Sequence, residues 1–360
     1  MAQFSGRLYA ELAEGNDIKA FSFKTLYPDF LFPGKTQFVT EEDSATVIES
    51  DRVLNSINPI SYITTAKKIN EYSPDVLIIP YWMSFLAPAF GVVARFVHKK
   101  TKIVGLIHNA IPHEKRFFDA PFAKFFFKKC DGFIVLSEPV EEDLLKLVPH
   151  AKILLSPHPI YDQYGDKMDR KDAVVRLDLD ADKKTLLFFG LIREYKGLDI
   201  LIDAMSLLDD SYRLLIAGES YEDFSKYRNL IDRSPFKNNI KVLEEYIPDE
   251  LVTVLFSASD VLVLPYRSAT QSGVVAVAYQ LETPMIATNV GALGETVRTS
   301  GTGLVIEEVS PEAIAAGIKS FFENEEKQAE YIQNIKTEKK RLSWASFAGS
   351  VEQFFKDGLS

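Results

Sequence analysis

Cysteine is nearly absent: Cys130 stands alone among 360 residues. An intramolecular disulfide and a thiolate cluster are therefore excluded, which fits a reducing compartment. Its neighbours, Phe125-Phe126-Phe127-Lys128-Lys129-Cys130-Asp131, predict a half-buried helix end in which the thiol packs inertly. Histidine is scarce as well, and the five present have no paired metal-ligand spacing. Basic residues are in deficit, 41 Lys and Arg against 51 Asp and Glu, and a net charge of −10 argues against a general nucleic-acid binder. Only Val76 to Val97, with Arg95 as its single charge, has the length and apolarity of a membrane span. Pro80 and Pro88 flank Tyr81, Trp82 and Ser84 and divide it into a β run, Val76 to Pro80, and a following helix. The opening Met1-Ala2-Gln3-Phe4-Ser5-Gly6-Arg7 has no basic region leading into an apolar one, so a cytoplasmic protein is expected. No short-period repeat is present, which sets solenoids aside.

A hydrophobic content of 46% over 360 residues can fill two cores, each of about 150 to 180 residues. Strands are expected at Asp17–Phe23, Val76–Pro80, Lys102–Ile107, Gly132–Leu136 and Lys152–Leu155, alternating with helices. Tyr27 to Asp51, with Pro28, Pro33 and Gly34, reads as a loop. A second series follows at Thr185–Phe189, Tyr212–Ala217, Ile240–Leu243, Val261–Leu264, Pro284–Ala287 and Leu304–Ile306. This rhythm predicts an α/β chain with two parallel sheets, each covered on both faces. A doubly wound domain opens with a strand and a glycine-rich turn, whereas Phe4, Leu8, Tyr9 and Leu12 predict that this chain opens with a helix; the first strand of the N-terminal domain is expected to be missing.

Two stretches organise the second series. Phe188-Phe189-Gly190-Leu191-Ile192-Arg193-Glu194-Tyr195-Lys196-Gly197 and Pro265-Tyr266-Arg267-Ser268-Ala269-Thr270-Gln271-Ser272-Gly273-Val274 each follow a β-type run, turn tightly, and open a helix. Backbone amides and a helix N-terminus at such a place want an anion. Arg193 and Lys196 add cations that can hold a diphosphate, Thr270, Gln271 and Ser272 add neutral donors, and Gly273 lets the backbone approach a ligand.

These two stretches, with Ala217-Gly218-Glu219 and Pro284-Met285-Ile286-Ala287-Thr288-Asn289-Val290-Gly291-Ala292-Leu293-Gly294-Glu295, resemble a GT-B glycosyltransferase of the GT4 (glycosyl transferases group 1) type, bacterial, with a degenerate Glu-x7-Glu element. The resemblance implies two facing Rossmann-like domains and retaining, metal-independent transfer of a sugar from a UDP- or GDP-sugar. Ser156 to Asp172, with Pro157, Pro159, Gly165 and several charges, reads as a linker, so the chain is expected to divide into an acceptor-side domain at 1–160, a linker at 161–172, a nucleotide-sugar-binding domain at 173–342 and a closing helix at 343–360. Ala269 and Val277 stand where the family carries its two glutamates, so the sugar and ribose contacts of those carboxylates are unassigned here. The family's phosphate-binding arginine directly follows the glycine, where this chain has Leu191; Arg193, two residues on, shares that face if the strand persists.

By resemblance His108, at the end of a strand, lies near the donor sugar and acceptor, and Asn109 and His113 stand on the acceptor side. Gly190, Glu219, Tyr246, Ile247 and Glu295 join Thr270 to Gly273 as donor contacts, with Glu295 in the turn after Pro284. Arg193, Lys196 and the helix-start amides would stabilise the departing diphosphate, with no metal and no cofactor. Asp178-Leu179-Asp180-Ala181-Asp182 mimics a calcium loop, but Lys183 and Phe189 replace the required glycine and glutamate. From Arg95 to Lys129 nine Lys or Arg stand against Glu114 and Asp119, a local +7, interleaved with Phe117, Phe118, Phe122, Phe125, Phe126 and Phe127. Such a stretch is either a core helix with solvated lysines or a face for an anionic membrane presenting a lipid-linked acceptor. A GT-B sugar-nucleotide epimerase and a noncatalytic sugar-nucleotide binder are the rival readings, and the expected pathway is cell-surface polysaccharide or glycolipid biosynthesis.

Overall fold

A computed structural model describes residues 2–26, 48–111, 116–160, 162–220, 223–269 and 272–359, without the side chains of Ala2 and Gln3. The chain divides into two compact units, Met1–Pro159 with Leu342–Ser360, and Ile160–Arg341.

The first unit runs α1 (Ala2–Ala13), β1 (Ala20–Thr25), β2 (Ser50–Asn55), α2 (Pro59–Tyr72), β3 (Val76–Tyr81), α3 (Ala87–Phe96), β4 (Lys102–Ile107), α4 (Asp119–Phe127), β5 (Gly132–Val135), α5 (Glu138–Leu147) and β6 (Ile153–Leu155). Strands β3-β4-β5-β6 form one parallel sheet, and β1-β2 a separate parallel pair. Alternation along the strands gives each face its own core. Tyr81, Ile103, Ile107, Phe133 and Val135 pack with Phe126 and Phe127, whereas Val104, Leu106 and Ile134 pack with Phe4, Leu8, Trp344 and Phe347. The last two come from the terminal helix, Trp344–Gly358, which Ser343 caps by accepting the Ser346 amide proton. Pro80 sits in β3, an edge of the four-stranded sheet, the position where a missing N–H costs least.

The second unit runs α6 (Arg170–Arg176), β7 (Lys184–Phe189), α7 (Leu198–Met205), β8 (Tyr212–Ala217), α8 (Ser225–Arg233), β9 (Ile240–Leu243), α9 (Asp249–Ala258), β10 (Val261–Leu264), α10 (Gly273–Gln280), β11 (Met285–Thr288), α11 (Gly291–Ser300), β12 (Gly303–Ile306), α12 (Pro311–Glu323) and α13 (Glu325–Arg341); the terminal helix of the first unit is α14. Its six-stranded sheet has the order β12-β11-β10-β7-β8-β9, all parallel. All of β8 and β10 is buried, as central strands covered on both faces require.

Three expectations need correction. The first strand begins at Ala20 rather than Asp17, and the loop expected up to Asp51 instead ends in β2, whose Asp51 and Arg52 hide its alternation and whose single buried residue is Leu54. Residues 27–47 of that loop lie outside the described residues. The expected linker at 161–172 is bonded into the second unit: Tyr164 O accepts from Thr253 Oγ1 (2.5 Å), Gly165 O from Gln280 Nε2 (2.6 Å), and Met168 N donates to Ser257 Oγ (3.0 Å). Its turn-forming composition reads as a tether, while the anchors are long-range backbone bonds that composition does not reveal.

Candidate functional site

In the second unit the chain enters at β7, builds outwards through β8 and β9, then returns to β10 on the other side of β7. Open parallel sheets bind ligands at the carboxyl ends flanking such a reversal. Glycines bring the loops together there. Gly190 has φ +95°, and Gly218 lies so close that a Cβ on it would sit 2.2 Å from Gly190 O. Gly197 (φ +69°) leaves a side chain no room either, since its Cβ would fall 2.1 Å from Pro265 O. Arg267 ties the same loops: its N donates to Tyr195 O (2.7 Å), and its guanidinium to Glu194 O (2.9 Å) and to both Asp199 oxygens (2.8 and 2.5 Å).

The result is an open cavity of about 290 Å³ lined by Tyr164, Phe189, Tyr195, Lys196, Tyr266, Ser272, Gly273, Val274 and Val277. Lys196 closes the short turn Glu194–Lys196 and is only 6% exposed. Among the described residues its ammonium has no ion pair or hydrogen bond; its recorded neighbour is the Tyr266 ring, 5.8 Å away. Burial lowers its pKa to about 8, so it is still charged at neutral pH. Opposite it stands the start of α10. Ser272 precedes that helix without capping it and shares a 3.2 Å hydrogen bond with the Tyr266 hydroxyl, whose pKa burial raises to about 12. At Gly273 a Cβ would meet nothing within 4 Å among the described residues, so their packing does not demand that glycine. A buried cation with no partner among the described residues, opposite a helix start that the Ser272 side chain does not cap, is an arrangement that an anion would satisfy.

Among the described residues, only Lys196, Ser272 and Gly273 of those expected line the cavity. Gly190 shapes the turn, and an added Cβ there would lie 3.2 Å from Lys196 Nζ. Arg193 is half-buried and is not among the residues lining the cavity: β7 ends at Phe189, and after Gly190 one isolated bridge, Ile192 to Ser220, precedes the turn that Arg193 opens. The two cations are therefore not equivalent. Glu219 follows β8 half-buried, and its carbonyl accepts Ile192 N (2.8 Å). Tyr246 is 72% exposed and Ile247 buried; they follow Glu245, which with Phe224, Arg228, Leu243 and Glu244 helps to line a second open cavity of about 630 Å³. Glu295 lies inside α11, exposed, instead of in the turn before it. Thr270, Gln271 and His113 lie outside the described residues.

In the first unit His108 follows β4, its N donating to Tyr81 O (2.9 Å), and the next residue, Asn109, is exposed. The His108 ring packs edge-on to Phe4 with centroids 5.0 Å apart, and its Nε2 is buried with no partner among the described residues. Burial, then the neighbouring His158, lowers its pKa to about 4, which keeps the imidazole neutral. Sequence reading missed His158, which packs on the other side of this cluster at 5.0 Å from Phe4. It also missed Tyr164, Tyr195 and Tyr266 as cavity walls, because a tyrosine near a turn carries no motif. Among the described residues no group of three or more His, Cys, Asp or Glu could hold a metal ion. No helix of theirs is long and apolar enough to cross a membrane.

Residues 169–338 match the family model for glycosyl transferases group 1. The second unit is a group 1 glycosyltransferase domain. The chain is 26% identical over 246 residues to the D-inositol 3-phosphate glycosyltransferase of Corynebacterium glutamicum, covering 64% of this chain and 59% of that protein. It is 30% identical over 178 residues to an uncharacterised glycosyltransferase of Methanocaldococcus jannaschii, covering 49% of each. The matches thus span about half to three fifths of these curated relatives. In fold, the chain matches the sucrose-phosphate synthase of Thermosynechococcus elongatus over 97% of its length (91% of that chain) with a TM-score of 0.63 at 19% identity. Anabaena HepE, solved in complex with UDP, matches over 86% of each chain with a TM-score of 0.63 at 15% identity. The fold is GT-B.

Proposed function

We propose that this protein is a cytoplasmic, retaining glycosyltransferase that moves a sugar from a UDP- or GDP-sugar to a glycan or lipid-linked acceptor in surface polysaccharide or glycolipid synthesis. The observation that carries this reading is Lys196, a buried ammonium unpaired among the described residues, opposite the start of α10 that Ser272 leaves uncapped. A diphosphate seated there neutralises the lysine and accepts the first-turn amide protons. As the sugar–oxygen bond breaks, negative charge grows on the departing phosphate, and both groups then bind more tightly than before. That is the positive charge a divalent cation would otherwise supply. Neutral His108, in the first unit, offers its Nε2, unpartnered among the described residues, for a hydrogen bond to the acceptor. HepE has been solved with UDP and with UDP-glucose, which supports a nucleotide-sugar donor.

A second reading, a noncatalytic sugar-nucleotide binder, draws on Val277, an apolar cavity wall where the family resemblance places a carboxylate. A panel of UDP- and GDP-sugars assayed for thermal stabilisation and for release of free nucleotide separates the two. Stabilisation with slow hydrolysis of one donor, at retained anomeric configuration, is expected. Stabilisation without turnover, even with an acceptor panel, leaves only the binder; no stabilisation by any nucleotide rejects both.

A further inference from the structure

We infer that the outer face of α3 and α4 in the first unit is a docking surface for an anionic lipid bilayer. The α3 and α4 helices are successive crossovers between the neighbouring parallel strands β3, β4 and β5, so they lie side by side on one face of the sheet. They interlock where Gly91 of α3 admits the Phe125 ring of α4, a Cβ on Gly91 falling 2.4 Å from that ring. The inner face of α4 is ordinary core, with Ala123, Phe126 and Phe127 buried. Its outer face is not ordinary surface. Phe117 is 93% exposed, and Phe122, Phe125 and Phe96 also reach solvent. Lys124 in α4 and Lys128 just past its end are exposed beside them, as are Arg95 in the last turn of α3 and Lys99 and Lys100 beyond it.

Two further observations point to a negatively charged partner. Residues 95–111 and 116–129 carry eight Lys or Arg (95, 99, 100, 102, 116, 124, 128 and 129), and none of them is ion-paired among the described residues. The single carboxylate in those spans, Asp119, is turned inward, accepting from Ser84 Oγ and from Arg116 N (2.6 Å). Elsewhere in this protein of net charge −10, cations such as Arg170, Arg267 and Lys339 sit against carboxylates. Unpaired cations set among exposed phenylalanines suit an interface where rings enter the headgroup layer and lysines meet anionic phosphates. A second copy of this chain would bring eight like charges against eight, and a neutral partner would leave them unanswered. The inference concerns a surface remote in sequence from Lys196 and does not rest on the donor site.

The test is sedimentation of the full chain with vesicles of phosphatidylcholine alone or with about a third phosphatidylglycerol, at 50 and 500 mM salt. Binding to the anionic vesicles at low salt, suppressed at high salt and absent on phosphatidylcholine, is expected. Each lysine near such a surface accounts for about a fivefold change in partition, so Lys124→Gln with Lys128→Gln lowers it roughly thirtyfold, and Phe117→Ser with Phe122→Ser lowers it at both salt concentrations. All four positions are solvent-facing, so circular dichroism and nucleotide-induced stabilisation stay as in the parent. Equal binding by parent and variants, or none by the parent, overturns the inference. So does concentration-dependent dimerisation that the same substitutions abolish, which would assign the face to a second copy.

Discussion

The two units carry the same kind of sheet, yet they treat a buried titratable group at a strand end in opposite ways. Beyond β7, Lys196 opens on a cavity, keeps its charge at neutral pH, and faces the uncapped start of α10. Beyond β4, His108 is packed against Phe4, held neutral, and left with an unpartnered Nε2. The first arrangement stores unanswered positive charge, which is costly until an anion arrives. The second stores an unanswered hydrogen-bonding atom, which discriminates by geometry and not by charge. Similar architecture therefore leads to different chemistry, because one strand end is followed by a short glycine-closed turn and the other is covered by the first turn of α1.

The largest effect that would test this contrast comes from Lys196→Ala. Loss of a preorganised charge donor should lower turnover by about a hundred- to a thousandfold, or about 2.7–4 kcal/mol, with an unchanged circular dichroism spectrum; near-parent turnover would remove Lys196 from the chemistry. His108→Gln should spare nucleotide affinity but reduce transfer by roughly tenfold or more, one hydrogen bond's share, as a kcat effect in steady-state kinetics. Gly197→Ala should lower stability by about 2 kcal/mol or more, read as a shift of the urea midpoint, because φ +69° and the 2.1 Å approach to Pro265 O leave no room. Arg267→Ala removes a bidentate pair that is over a third exposed, so its cost should be only about 1 kcal/mol in the same titration.

The two groups also predict opposite consequences of acid. The pKa of His108 is depressed from 6.5 to about 4, so between those values the unfolded chain binds more protons. Its contribution to stability is whole above pH 6.5 and is lost as pH falls towards 4. The pKa of Lys196 is depressed from 10.5 to about 8. Donor binding needs it charged, so nucleotide affinity should hold up to pH 7 and weaken above about pH 8, approaching tenfold per unit. A pH series of binding and melting on the same preparation reads both trends.

Much of the second unit is legible in sequence, since its strands are buried on both faces and read as unbroken apolar runs such as Val261-Leu262-Val263-Leu264. The turn that holds Lys196 is legible too, but its burial is not, because a lysine at a helix start reads equally well as solvated. Alternation alone does not fix where Arg193 points, because Gly190 takes φ +95° and interrupts the strand on which its orientation was inferred. The expected linker conceals Tyr164, a cavity wall, because its anchoring bonds run to Thr253, Ser257 and Gln280, far along the chain. Strand β2 escapes notice because Asp51 and Arg52 stand where alternation would show apolar residues. Glu295 is misplaced in structure, since α11 starts four residues before it, at Gly291.

The central claim is that Lys196 waits for a diphosphate. Calorimetric titration of UDP or GDP at pH 8, repeated in two buffers of different ionisation enthalpy, measures the protons taken up on binding. With its pKa near 8, half of the lysine is neutral before binding, so the account predicts uptake of about half a proton by the parent and none by Lys196→Met. Equal proton uptake in both proteins, or equally tight binding, would contradict it.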